Sequence, residues 1–157
     1  MVQLGATTAD NTPHQISQAY LRRPLLVPTG GTTQITFWYR MLSFDVAVGS
    51  PERGSLEWDA FKVLLNGREV LRDGLRFSDE WYRWYLTLPT TPRDLGWKQG
   101  VLDVTAYAGQ VVTLEFRLGN LQSPVDNTWV FLDDVVALYT PSPPTRFTVF
   151  LPTVRRD

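Results

Sequence analysis

Apolar and polar residues alternate with a period of two along much of this chain. The clearest run spans residues 111–118, where Val112, Leu114, Phe116 and Leu118 alternate with Val111, Thr113, Glu115 and Arg117. That alternation belongs to a strand with one face buried and the other in water. It recurs at 34–42, with Ile35, Phe37, Tyr39 and Met41 on one face and Thr36, Trp38 and Arg40 on the other. At 58–65, Phe61, Val63 and Leu65 alternate with Ala60, Lys62 and Leu64. Asn66-Gly67 then predicts a type I′ hairpin turn into a partner at 69–71. Residues 18–28 predict a strand interrupted by Pro24, which suits an edge or a bulge, and a Gly-Gly turn follows at 29–32. The stretch 81–88 predicts a further strand, with Trp81, Arg83 and Tyr85 opposite Tyr82, Trp84 and Leu86. A last strand ends near Tyr139 and carries two adjacent aspartates, Asp133 and Asp134.

No segment sustains apolar residues at helical spacing, and 103–107 has room for one turn at most. The connections 43–57 and 89–100, the second containing Trp97, predict long loops. Many short strands, separated by turn signals and without helices, predict an all-β sandwich of two antiparallel sheets. Its domain covers 1–139. A Pro-rich linker follows at 140–146, extended and stiff, and then a strand-like tail at 147–157. In the tail Phe147, Val149 and Leu151 alternate with Thr148 and Phe150, ahead of Pro152 and the basic pair Arg155-Arg156. A free apolar strand invites aggregation, so the tail is expected to pack on its own domain or on a neighbouring subunit.

Length and composition narrow the function classes. A chain of 157 residues is one domain with a sizeable core. A net charge of −1 leaves no basic footprint for nucleic acid. No apolar run reaches the roughly 20 residues of a membrane span. The first residues have neither a basic nor an apolar signal region, so no signal peptide is expected in this chain. Cysteine is absent, which excludes disulfides, thiolate metal sites and cysteine nucleophiles. His14 is the single histidine, with no nucleophile motif near it. Nothing in the sequence calls for catalysis, and the expectation is a non-enzyme.

Trp97, the block from Leu102 and Asp103 through Tyr107, Gly109 and Gln110 to Val112, Leu114 and Phe116, and Asn127 to Val135 form one pattern. In it the second half of the chain resembles the galactose-binding-like and MAM-like jelly-roll modules. Upstream, Ile35 to Arg40 and Asp59 to Val63 are similar to two earlier strands of those modules. The resemblance implies a jelly roll of eight or nine strands. It also implies an extracellular or cell-surface setting, a glycan or other surface polymer as first-choice ligand, and in some relatives a structural Ca²⁺. The tail is similar to short C-terminal ends of exported proteins in some filamentous bacteria.

Three groups of residues are candidates for function. With regular alternation, one of Asp133 and Asp134 points inward, and a buried carboxylate is costly unless paired or metal-bound. One reading is a Ca²⁺ site completed by Asp59, Asp126, Asn127, Asp10 or main-chain carbonyls, because Ca²⁺ takes hard oxygen ligands. The other is a carboxylate that caps loop amides or pairs with Arg40 or Arg117. The second group is Trp38, Trp58, Trp84 and Trp97, whose indoles either stack on sugar rings or fill the sandwich. The third is the tail, where Phe147, Val149, Phe150 and Leu151 either add a strand to a neighbouring subunit, building a self-assembling filament, or fold back on their own sheet.

Overall fold

The computed structural model describes residues 1–5, 17–45, 59–76, 78–87, 91–120 and 128–143. The strands are β1 (Val2–Leu4), β2 (Ser17–Leu26), β3 (Gly31–Ser43), β4 (Ala60–Leu65), β5 (Arg68–Asp73), β6 (Arg93–Asp103), β7 (Val111–Asn120) and β8 (Thr128–Pro141). A short helix α1 (Asp79–Tyr85) and a 3₁₀ turn (Thr105–Tyr107) complete the described elements. The front sheet has the order β1-β8-β3-β6 and the back sheet β2-β7-β4-β5, with every pairing antiparallel. Strands alternate between the sheets in a jelly-roll order, so the all-β sandwich expected from the sequence is the observed architecture.

The alternation in β3 and β7 is realised side chain by side chain. Ile35, Phe37, Tyr39 and Met41 of β3 are buried, as are Val112, Leu114, Phe116 and Leu118 of β7. Between the sheets four rings close a circuit. Phe37 meets Phe116 edge-on at 5.0 Å, Phe116 lies parallel to Phe61 at 6.3 Å, Phe61 contacts Tyr39 at 4.9 Å, and Tyr39 returns to Phe37 at 6.0 Å. Room for Phe37 comes from Gly100, its partner on β6: a Cβ there would fall inside the Phe37 ring.

One long side of the sandwich, between β5 and β6, is clasped by polar groups. Tyr39 donates to Asp73 Oδ2 at 2.9 Å, and Lys98 Nζ reaches the same oxygen at 2.6 Å. Burial first, then the Asp73 carboxylate, pushes the Tyr39 hydroxyl well above its ordinary range, so it stays a donor. At the end where β2 turns into β3, Val27 and Gly109–Gln110 exchange backbone bonds, and the Thr33 carbonyl accepts from the Val104 amide. At the other end Gly5, at φ +90, sits where a Cβ would press 2.6 Å from the Thr128 carbonyl and 2.8 Å from Leu118 Cδ2. The chain therefore passes tightly between the two sheets there.

Two expectations are corrected. The segment expected as a strand at 81–88 is largely α1. Ser78 caps it by accepting from the Trp81 amide at 3.0 Å, Asp79 and Glu80 favour its first turn, and Trp81 stacks on Tyr85 one turn later. Trp81, Trp84 and Tyr85 thus share a helical face that the aromatic β-propensity of the run concealed. The loop expected at 89–100 is mostly β6, so Trp97 stands on a strand. Pro24 lies on β2, an edge strand of the back sheet, as its missing N–H requires. The last strand runs past Tyr139 to Pro141.

Substituting Gly100 by Ala tests the ring circuit. The fully buried Phe37 ring has nowhere to move, so the variant is expected to lose about 1–3 kcal/mol of unfolding free energy in denaturant melts. Unchanged stability would show that the ring is not confined there.

Candidate functional site

The ladder registers of the front sheet decide which side chains share its outer face. Because paired residues of an antiparallel ladder point to the same side, the buried partners mark the inner face and their neighbours the outer one. Trp38 of β3 pairs with Gln99 of β6 and with Asp133 of β8, and Arg40 pairs with Trp97 and Phe131. Trp38 and Trp97 are therefore diagonal neighbours on adjacent strands, a relation in which long aromatic side chains are within reach of one another. They are 39% and 43% exposed. Thr36 and Val101 form the next row. The result is an open face with two indoles and polar groups on both sides of them.

Arg40 fixes one border of that face. Its guanidinium grips the Asp94 carboxylate with both Nε and Nη2, and Asp94 Oδ1 also accepts from the Gly96 amide at 2.9 Å. The Arg40 hydrogen bond, opposed by slight burial and helped by Gly96, holds the Asp94 carboxyl below the usual carboxylate range. On the other border Asp133 Oδ1 lies 3.2 Å from the amino group of Met1 and accepts from the Asp134 amide.

The acidic pair does not do what regular alternation requires. Between Thr36 and Trp38 of β3 the register with β8 slips, so that Asp134 and Val135 together oppose Phe37. This is a β-bulge, and Asp134 takes a left-handed backbone at φ 48. The extra residue leaves Asp133 half-buried and Asp134 exposed, and neither points into the core. Arg40 and Arg117 are engaged elsewhere, with Asp94 and with Glu115.

Among the described residues the buried carboxylates are Glu115, paired with Arg22 and Arg117, and Asp45 and Asp59. Asp45 follows β3, and its amide and carbonyl both bond Ser43 Oγ, which lies 2.6 Å from Thr128 Oγ1. Asp59 precedes β4 at the same end of the sandwich, where Ala60 pairs with Gly119. The structure does not bring Asp59 together with Asp133 and Asp134, which sit on the other sheet at mid-height. Among the described residues no three acidic or histidine side chains form a metal cluster. Asp45 was missed by sequence reasoning, because a lone aspartate at the start of a loop carries no periodic signal. Trp84 is half-buried, stacked 6.4 Å from Phe44 with the Arg93 guanidinium 5.1 Å from its ring centre, and belongs to the α1 contact rather than to the outer face. Trp58, Asp126, Asn127, Asp10, His14 and the tail residues Phe147, Val149, Phe150 and Leu151 lie outside the described residues.

No protein family model matches the chain, and no curated protein matches it. Among solved structures it is similar to part of dimeric latent PorU from Porphyromonas gingivalis, at 9% identity and a TM-score of 0.44. That match covers 89% of this chain and 12% of the PorU chain. The two-sheet architecture rests on the strand pairings themselves. No helix among the described residues is long and apolar enough to cross a membrane.

The border of the open face has a pH signature. A depressed carboxyl contributes stability that is whole above the unfolded aspartate value of about 3.9 and is lost as pH falls through the folded value. The Asp94 carboxyl carbon, followed by NMR, is expected to titrate below that value. Arg40→Ala should return its midpoint toward it.

Proposed function

We propose that this chain is a non-catalytic binding module that lays the outer face of its front sheet on an extended glycan, outside the cell or at its surface. One observation carries the reading: Trp38 and Trp97 stand diagonally on neighbouring strands, both open to solvent, between Arg40–Asp94 on one border and Asp133 on the other. Indole faces take the C–H faces of sugar rings, and fixed carboxylates, amides and guanidinium groups take the hydroxyls. An open sheet face suits a polymer lying across it better than a small sugar, which needs a concave site. The jelly-roll strand order and the resemblance of the second half to galactose-binding-like and MAM-like modules support the same ligand class.

The calcium expectation moves with the buried carboxylates. Asp45 and Asp59 are both buried at that end of the sandwich, where the Ser43 and Thr128 hydroxyls lie 2.6 Å apart, and this burial supports a structural cation held by hard oxygen ligands there. The exposed pair at the bulge lacks the burial that a structural site exploits. The ion would add stability and supply no chemistry.

Two measurements separate these readings from their rivals. In titrations of tryptophan fluorescence with soluble polysaccharides, Trp38→Ala and Trp97→Ala should each weaken binding about tenfold or more, and Trp84→Phe should leave it nearly unchanged. Absence of saturable binding to any polysaccharide rejects the glycan reading. In calorimetry, EDTA should lower the melting temperature of the native chain and of Asp133→Asn, but have little further effect on Asp59→Asn. A midpoint indifferent to EDTA in the native chain rejects the cation.

A further inference from the structure

The two indoles are not the whole of the outer front face. One row beyond Trp38, Thr36 of β3 stands between its ladder partners Val101 of β6 and Val136 of β8. In the row after that, Gln34 stands between Asp103 and Leu138. Val101, Val136 and Leu138 are exposed by 53%, 44% and 51%. Paired residues share a face, so these side chains lie on the same side as Trp38 and Trp97. A lone exposed valine on a strand is ordinary, because β-branched residues favour strands. Three aliphatic side chains in adjoining rows, continuous with two exposed indoles, form a patch rather than a scatter. Thr36 and Gln34 set a line of polar groups through it along the middle strand.

We infer that this patch selects glycans whose sugars carry N-acyl groups, acetamido above all, over glycans that carry only hydroxyls. The inference rests on the glycan reading of the same face and narrows it to one ligand class. An indole takes the C–H face of any sugar ring, so Trp38 and Trp97 alone do not discriminate. Valine and leucine offer nothing to a hydroxyl, and covering them with one strips its water without return. An acetamido group meets both parts of the patch. Its methyl covers aliphatic carbon, and its N–H and C=O match the acceptors and donors of Thr36 and Gln34 on the strand between. A polymer that follows the diagonal from Trp97 to Trp38 runs next, across the bulge, onto Val136 and Leu138.

Charge points the same way. On this face Arg40 is matched by Asp94 and the Met1 amino group by Asp133, while Asp103 adds a carboxylate at the β6 border. Among the described residues a uronate or sulfated polymer therefore meets more negative than positive charge here, which disfavours it. An acetamido sugar is neutral and escapes that repulsion.

Titrating the tryptophan fluorescence of the full chain with chitohexaose and with cellohexaose tests it, since the two differ only in the substituent at one ring carbon. The native chain should bind chitohexaose roughly tenfold tighter, the effect of burying one or two methyl groups. Val136→Thr combined with Leu138→Thr keeps strand-favouring residues on the surface and should cut that ratio to about twofold, with cellohexaose affinity unchanged. Trp38→Ala should weaken both ligands together. Three results overturn the inference and leave the glycan reading standing: equal affinity for the two hexamers, binding of hydroxyl-only polysaccharides alone, or a preference that survives the double substitution. Absence of saturable binding to either hexamer and to any polysaccharide removes both. Self-association in light scattering that the double substitution abolishes makes the patch an interface between copies, and overturns the inference as well.

Discussion

Four aromatic rings, two from the front sheet and two from the back, set the spacing and alignment of this sandwich. Phe37 and Tyr39 stand two residues apart on β3, so they reach down from the same face. Phe61 and Phe116 rise from neighbouring strands of the back sheet to meet them. Edge-on and offset contacts of this kind are directional as well as apolar, and they fix the sheets laterally. The circuit exists only because β6 places a glycine beneath Phe37. Its position also settles the outer face: with Phe37 and Tyr39 inward, Trp38 and Arg40 must point out, which is where the candidate binding surface lies.

The bulge at Asp134 and Val135 has the second largest consequence. One extra residue in β8 changes which side chains face which way. It turns the acidic pair away from the core. Beyond it β8 continues along β3 to Pro141. A clasped side between β5 and β6 and a tryptophan-bearing outer face thus follow from a few local choices of backbone.

Much of this was readable in the residues and some was not. The alternations in β3, β4 and β7 were legible because each has one face in the core, and burial imposes the period of two directly. The helix was misread because Trp81, Tyr82, Trp84 and Tyr85 are all strand-favouring types, and the cap at Ser78 outweighed that preference only with the aromatic packing around Trp81 in place. Trp97 was placed in a loop because the prolines before it obscure where β6 begins. Of the four candidate tryptophans, Trp38 stood out by its place on the polar side of an alternating strand. Nothing in the sequence marked Trp97 as its diagonal neighbour.

By itself, then, the sequence determined the class of fold, the inward set of core residues and the absence of cysteine chemistry, since these follow from composition and from the period of each strand. The tertiary structure alone decided which exposed residues stand together and that the aspartate pair faces away from the core. Register, bulges and strand order relate residues far apart in the chain, and no local pattern encodes those relations.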